Sequence, residues 1–321
     1  MVEPVTKYPN IRTIGKAILI TIAFLIGGLV AAFIILIITL ITTIIYIGAK
    51  RGNIQQVNDI MISSFSTLWV NVPYIVLQNI FAIIIVLLFI VLIDRKKSPL
   101  IVLRLRPVKG VLKFFFTGVF LIIPISFGII ACLLVTGLTT FDATGFSRYS
   151  TASLVISFSS FFIATILTAF GEEMVFRGYI QPLLTNRYGI TAGLIGASVI
   201  FAIPHLINGV LLMPMLGVFL GGLIMGYLVI KTGSLYTSIG FHFLWNFLII
   251  DVFQIGTPIV DLGAYPLFLF SMPPDFVIGG MNLGRSDELV QVIVLMVFLL
   301  TLYVYYKIHK SQPTGIAIEK S

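Results

Sequence analysis

Between Ala17 and Ala49 lie 33 residues without one charged side chain or polar turn, and no other feature restricts the possible folds as strongly. A helix that crosses bilayer hydrocarbon needs about 20 predominantly apolar residues. The apolar core of a cleavable signal peptide is only about 7–15 residues long. This stretch is therefore read as one tilted or protruding helix, interrupted only by Gly27-Gly28. Further apolar runs give eight candidate spans, over residues 17–48, 72–93, 114–137, 152–180, 191–210, 213–230, 235–255 and 289–306. The expected fold class is all-α: a polytopic membrane bundle of about eight transmembrane helices forming a single domain over residues 1–321. Composition agrees, since only 10% of residues are charged where soluble domains carry about 25%.

The basic residues test the count. With the N-terminus in the cytoplasm, the inner side receives Lys7, Arg12 and Lys16, then Arg95, Lys96, Lys97, Arg104, Arg106, Lys109 and Lys113. Arg177, Arg187 and Lys231 follow, and Lys307, Lys310 and Lys320 close the chain, so 16 of the 20 fall inside. Lys50, Arg51, Arg148 and Arg285 stay outside. This is the segregation that the positive-inside rule demands; an odd number of spans spoils it. Eight spans with both termini cytoplasmic is the topology expected. It also accounts for the net charge of +8 without nucleic acid, for which no aromatic-basic binding motif is present.

Three stretches stand apart from the spans. Residues 52–71 are mixed in polarity and suit the outer interface. Residues 256–288, with Pro258, Pro266, Pro273 and Pro274, read as an ordered external or re-entrant loop. Residues 311–321 read as a flexible tail. No internal repeat is visible, which counts against the inverted-repeat architecture of many transporters. The single cysteine, Cys132, lies in an apolar run without a sequence-local activating partner, and is expected to be a small buried hydrophobe.

Ionisable groups inside a span are costly and point to function. The fourth span ends in Gly171-Glu172-Glu173-Met174-Val175-Phe176-Arg177-Gly178 after a run without charge from Thr151 to Phe170. On a helix Glu173 and Arg177 share a face one turn apart, while Glu172 points about 100° away and is left to face a cavity. A surface ion pair at a helix end explains the first two but not Glu172. The fifth span carries Phe201-Ala202-Ile203-Pro204-His205, where Pro204 restricts the backbone and can free a carbonyl; a satisfied structural histidine is the plainer reading. The seventh carries His242 and Asn246, four apart on one face, a spacing that a polar helix–helix contact also explains. At 1.5 Å per residue, His242 lies about 12 Å from Ser234, Glu172 about 15 Å from Pro182, and His205 about 21 Å from Thr191. All three thus reach one depth range in the cytoplasmic half. His309, between Tyr305-Tyr306 and Lys310, reads as an interfacial anchor.

Taken in order, Glu172-Glu173-x-x-x-Arg177, Phe201-x-x-x-His205 and His242-x-x-x-Asn246 on successive spans resemble the CPBP intramembrane protease family. That family includes CAAX prenyl endopeptidases and bacterial abortive-infection and bacteriocin-immunity proteins. The resemblance covers residues 150–255, and no signature position departs from it. It implies a catalytic core at 150–255, in which Glu172 activates the attacking water and His205 helps hold that water or a metal. It places His242 and Asn246 near the scissile carbonyl and gives Glu173 and Arg177 supporting, mainly structural roles.

The implied activity is an endopeptidase acting on a membrane-associated peptide or protein, prenylated in one branch of the family. It implies residence in the cell membrane of a prokaryote or the endoplasmic reticulum membrane of a eukaryote. A carboxylate base with histidine and amide donors suits such hydrolysis. A divalent metal, zinc above all, is expected chiefly from the family, with Glu172, His205 and His242 as its three ligands. No HExxH and no Ser-His-Asp set is present. The alternatives are a catalytically silent regulatory or immunity protein of the same fold, and a proton-coupled transporter using the same side chains as a relay.

Overall fold

In lipid every backbone N–H and C=O must find its partner within the protein, and the apolar runs answer by closing into helices. The computed structural model describes residues 11–50, 53–64, 66–96, 98–105, 110–207, 211–255, 262–271, 273–278 and 280–309. The chain forms α1 (Ile11–Ala49), α2 (Ile54–Ser64), α3 (Leu68–Leu88), the single turn α4 (Pro99–Val102), α5 (Val111–Val135), α6 (Thr151–Glu173) and α7 (Gln181–Tyr188). It continues through α8 (Ile190–Ile207), α9 (Leu212–Thr232), α10 (Leu235–Phe247) and α11 (Ser286–Ile308). Wider π-helical turns extend α3 over Phe89–Ile93, join α6 to α7 over Met174–Ile180, and extend α10 over Leu248–Val252.

The 33-residue run is one helix, as expected: α1 has 39 residues, about 58 Å at 1.5 Å per residue. That is nearly twice the hydrocarbon thickness of about 30 Å. Among the described residues seven helices are long and apolar enough to cross a membrane, rather than eight. The fifth expected span, 191–210, is the exception. Its helix starts beside Gly189, whose φ of +88° breaks the preceding one, and its apolar part, Ile190–His205, is shorter than the others. The fourth expected span is longer than read, because π-turns carry the helix without a break from Thr151 to Tyr188.

The fold is also not wholly helical. Strands β1 (Phe141–Thr144) and β2 (Phe268–Phe270) form one antiparallel pair, and β3 (Asp275–Ile278) and β4 (Met281–Arg285) another. Both draw on the loop expected at 256–288, of which 256–261 lie outside the described residues, as do both chain termini and the expected 311–321 tail. Residues 262–271 are pinned to the bundle by Asp251, a fully buried carboxylate. Ser157 donates to Asp251 Oδ1 in a short hydrogen bond and accepts from the Tyr265 N–H at 2.9 Å. The Leu267 N–H bonds the Asp251 carbonyl at 3.1 Å. Sequence reading passed over Asp251 although it falls inside the span 235–255.

Helix α10 is the axis of the bundle: 61% of its apolar window is buried, against 22% for α1 and for α11. Glycines let it lie against α5, since lipid-embedded helices gain mainly from close packing. A Cβ on Gly240 would fall 2.1 Å from the Phe115 carbonyl oxygen, and one on Gly118 would fall 2.0 Å from that of Thr237. Backbone cannot give way as a flexible side chain does. Gly240→Ala is therefore expected to destabilise the protein by about 1–3 kcal/mol, measured as a lower unfolding midpoint in detergent. Cys132 departs from expectation: it sits on α5 but on the outer surface of the bundle. The reason is its direction, because α5 buries the faces holding Ile122, Ile125, Ser126, Ile129 and Leu133, while Cys132 falls between them.

Candidate active site

Glu172 and Glu173 end α6, and the π-turn that follows changes the direction of the next residues. Such turns recur at functional sites because they rotate side chains out of α-helical register. Glu173 is fully buried and Arg177 almost so. Arg177 Nη1 donates to Glu173 Oε1 at 2.7 Å, so the pairing one turn apart holds as expected. The carboxylate does more than hold Arg177, however. His242 Nδ1 on α10 lies 2.9 Å from the same Oε1, and Ser238, one turn earlier, donates to Oε2 in a short hydrogen bond.

That bond fixes His242. With Nδ1–H donated to a carboxylate, a neutral imidazole presents the lone pair of Nε2, and Nε2 stands 3.7 Å from Glu172 Oε2. This distance is too long for a direct hydrogen bond, and both atoms belong to residues that line the same cavity. His205 is oriented in a similar way. Its Nδ1 lies 3.1 Å from the Phe201 carbonyl on its own helix, which leaves its Nε2 lone pair open as well. Phe201 packs at the centre of the group. Arg177 lies over its ring at 4.1 Å, and the rings of Phe176, His205 and His242 meet it edge-on at 5.1, 5.4 and 6.0 Å.

Glu172, His205, His242 and Asn246 all line one cavity of about 180 Å³, closed by Met213, Gly217 and Val218 of α9, Trp245 and Ile249 beyond His242, and residues of α11. The four residues singled out from the sequence are thus brought to one chamber. Glu173 and Arg177 are not in its wall and reach it through His242. Glu172 and His205 also border a second void of about 60 Å³, walled by Phe24 of α1, Gln78 of α3 and Phe176.

The close fit of α3 against α6 sets the position of Glu172. A Cβ on Gly171 would lie 2.8 Å from Asn79 Oδ1, and Asn79 in turn donates to Thr168 at 3.0 Å. Sequence reading missed Ser238, Glu288 and Gln291. Ser238-x-x-x-His242-x-x-x-Asn246 repeats every four residues on one helix face, a signal available for the first. Gln291 stands as an amide inside an expected span.

The metal expected from the resemblance has Glu172, His205 and His242 as its ligands. Two histidine lone pairs and a carboxylate are suitable donors by chemistry. Among the described residues, however, no three His, Cys, Asp or Glu side chains cluster as a metal's ligands. Glu172, His205 and His242 line one cavity with suitable donor atoms but do not stand at metal-ligand spacing in this structure.

No curated protein and no solved structure matches the chain. Residues 152–248 match the family described as type II CAAX prenyl endopeptidase Rce1-like, and they contain every motif residue from Glu172 to Asn246. The match spans just under a third of the chain and agrees with the resemblance read from the three motifs.

Proposed function

We propose that this integral membrane protein is an intramembrane endopeptidase that hydrolyses a peptide bond of a membrane-associated peptide or protein. The observation that carries the reading is the chain from Arg177 through Glu173 to His242, whose open Nε2 stands 3.7 Å from Glu172 in the wall of a largely apolar cavity. In this reading residues 150–255 are the catalytic core, α8 makes an eighth, short crossing, and both chain ends lie on the cytoplasmic side. In that topology residues 256–288 lie outside, and the cavity, walled by Met213 and Pro214 at the start of α9 and by Glu288 at the start of α11, reaches toward the outer ends of those helices.

The roles follow from what each atom can donate or accept. A water beside Glu172 gives one proton to Glu172, the general base, while the His205 Nε2 lone pair accepts its other hydrogen and orients it, which leaves the His242 Nε2 lone pair free for the proton transfer that follows. The hydroxide attacks the peptide carbonyl, forming a C–O bond and an oxyanion. The Asn246 amide donates to that oxyanion. The proton on Glu172 passes through His242, whose imidazolium is stabilised by Glu173, to the leaving amine as the C–N bond breaks. Carboxylate–histidine pairs in other hydrolases fix the tautomer in the same manner. No step here is routed through a metal, and the chelator arm of the cleavage experiment tests whether one takes part. A prenylated peptide is one substrate branch, and comparing prenylated with plain peptides tests it.

Asn246→Ala keeps the cavity wall and removes only the donor. It is expected to lower kcat by about 100- to 1,000-fold with little change in KM, measured on reconstituted protein by mass spectrometry of the products. An unchanged kcat removes Asn246 from the mechanism.

A further inference from the structure

The far wall of the cavity comes from α11, outside the segment that matches the family. Two polar residues stand there among apolar ones, Glu288 and Gln291, each 9% exposed. Gln291 Nε2 is buried and has no hydrogen-bond partner among the described residues. Glu288 Oε2 accepts the Arg285 N–H at 2.6 Å and so caps α11. The neighbouring Asp287 is matched by Arg285 through contacts of 2.8 and 3.1 Å. Glu288, by contrast, forms no direct ion pair among the described residues: the Arg285 backbone N–H caps its carboxylate, and the Arg285 guanidinium acts on it only from a distance.

A cap alone does not explain this arrangement, because it satisfies one oxygen and says nothing about the orphan amide beside it. Charge gives the rest of the argument. The described residues lining the cavity include two carboxylates, Glu172 and Glu288, and no lysine or arginine, while Arg177 is committed to Glu173. A carboxylate in an apolar wall is costly unless a cation or several donors meet it, and such a cavity draws in positive charge.

We propose that Glu288 and Gln291 form a specificity subsite for a basic side chain of the substrate, a lysine or arginine close to the scissile bond. The ammonium or guanidinium group donates to the Glu288 carboxylate, and the unpartnered Gln291 Nε2–H donates to a backbone carbonyl of the same substrate beside it. This rests on the protease reading for the identity of the ligand as substrate.

The test separates the two ideas by measuring binding without cleavage. In a Trp69→Phe background the remaining tryptophan, Trp245, lies in the cavity wall and reports occupancy by fluorescence. Glu172→Gln in the same protein removes the other carboxylate. Full-length protein in detergent is titrated with hexylammonium and with hexanoate. The ammonium is expected to bind about tenfold tighter, and Glu288→Gln should bring the two within about twofold. Glutamine still serves a capping box, so helix α11 keeps its cap and a merely structural role predicts no change. Equal binding of the two probes, or a preference that survives Glu288→Gln, overturns the subsite.

The second arm compares cleavage by the protein with Glu172 intact of single-span peptides carrying Lys or Glu beside the scissile bond. Faster cutting of the lysine peptide, lost in Glu288→Gln, supports the subsite. Cleavage blind to this charge overturns the subsite and leaves the protease standing. An ammonium preference in a protein that cuts nothing keeps the subsite and sinks the protease.

Discussion

Glu173→Gln is expected to cost the protein both its stability and its activity. The substitution removes the charge that balances Arg177, a guanidinium with 1% side-chain exposure. Breaking a buried ion pair from one side costs about 3–5 kcal/mol, because the remaining charge has no water to turn to. Arg177 Nη2 already lacks a partner among the described residues, so the site holds little reserve to absorb the loss. The chemical effect arises at His242. A glutamine can offer its amide to Nδ1 and select the wrong tautomer, a change that lowers kcat by about 10,000-fold in the serine-protease triad. Unfolding in detergent and kcat on reconstituted protein check the two parts separately. A double variant, Glu173→Gln with Arg177→Met, should recover much of the stability by removing the stranded cation, and little of the activity. Recovery of both would mean that Glu173 serves only the ion pair.

Glu172→Gln is expected to do the opposite to stability and as much to rate. Glu172 is 14% exposed on its side chain, and the nearest ring nitrogen of His242 lies 3.7 Å away, beyond a direct hydrogen bond. Little holds the folded state through this carboxylate, so the variant should unfold at or above the temperature of the parent. Catalytic groups often carry such a cost to stability. As general base its loss should lower kcat by about 100- to 10,000-fold, with KM for the peptide nearly unchanged. The pair of adjacent glutamates therefore separates by experiment: one is needed to fold and to orient, the other only to react. A Glu172→Gln protein that retains full activity would leave the cavity without a base.

Much of this division was legible in the sequence. The one-turn spacing of Glu173 and Arg177 predicted their pairing, and the 100° offset of Glu172 predicted that it faces a cavity. Helical periodicity likewise put His242 and Asn246 on one face. What the spacing did not contain was the third partner of Glu173. That contact depends on α10 lying close enough to α6 to bring Ser238 and His242 onto Glu173, an approach only the packed bundle reveals.

Hydropathy also misjudged length. It counts apolar residues but does not sense π-turns, so Met174–Ile180 appeared as a helix end when it continues the helix. It could not show that Gly189 starts a shorter α8. Cys132 was misplaced because an apolar neighbourhood means burial in a soluble core, whereas a membrane helix turns its apolar side outward to lipid. Glu288 and Gln291 were passed over for a related reason: they lie at the edge of a span, where polar residues are ordinary, and only tertiary packing turns them toward the cavity.

The most direct test of the central claim is cleavage of a library of membrane peptides, lipidated and plain, by purified protein in vesicles. Products are identified by mass spectrometry for the parent and for Glu172→Gln, each with and without a chelator. The account predicts defined products from the parent and none above background from the variant, and the chelator arm decides whether a metal takes part. Products that persist in Glu172→Gln, or a folded parent that cuts no peptide while moving solute across sealed vesicles, would contradict it.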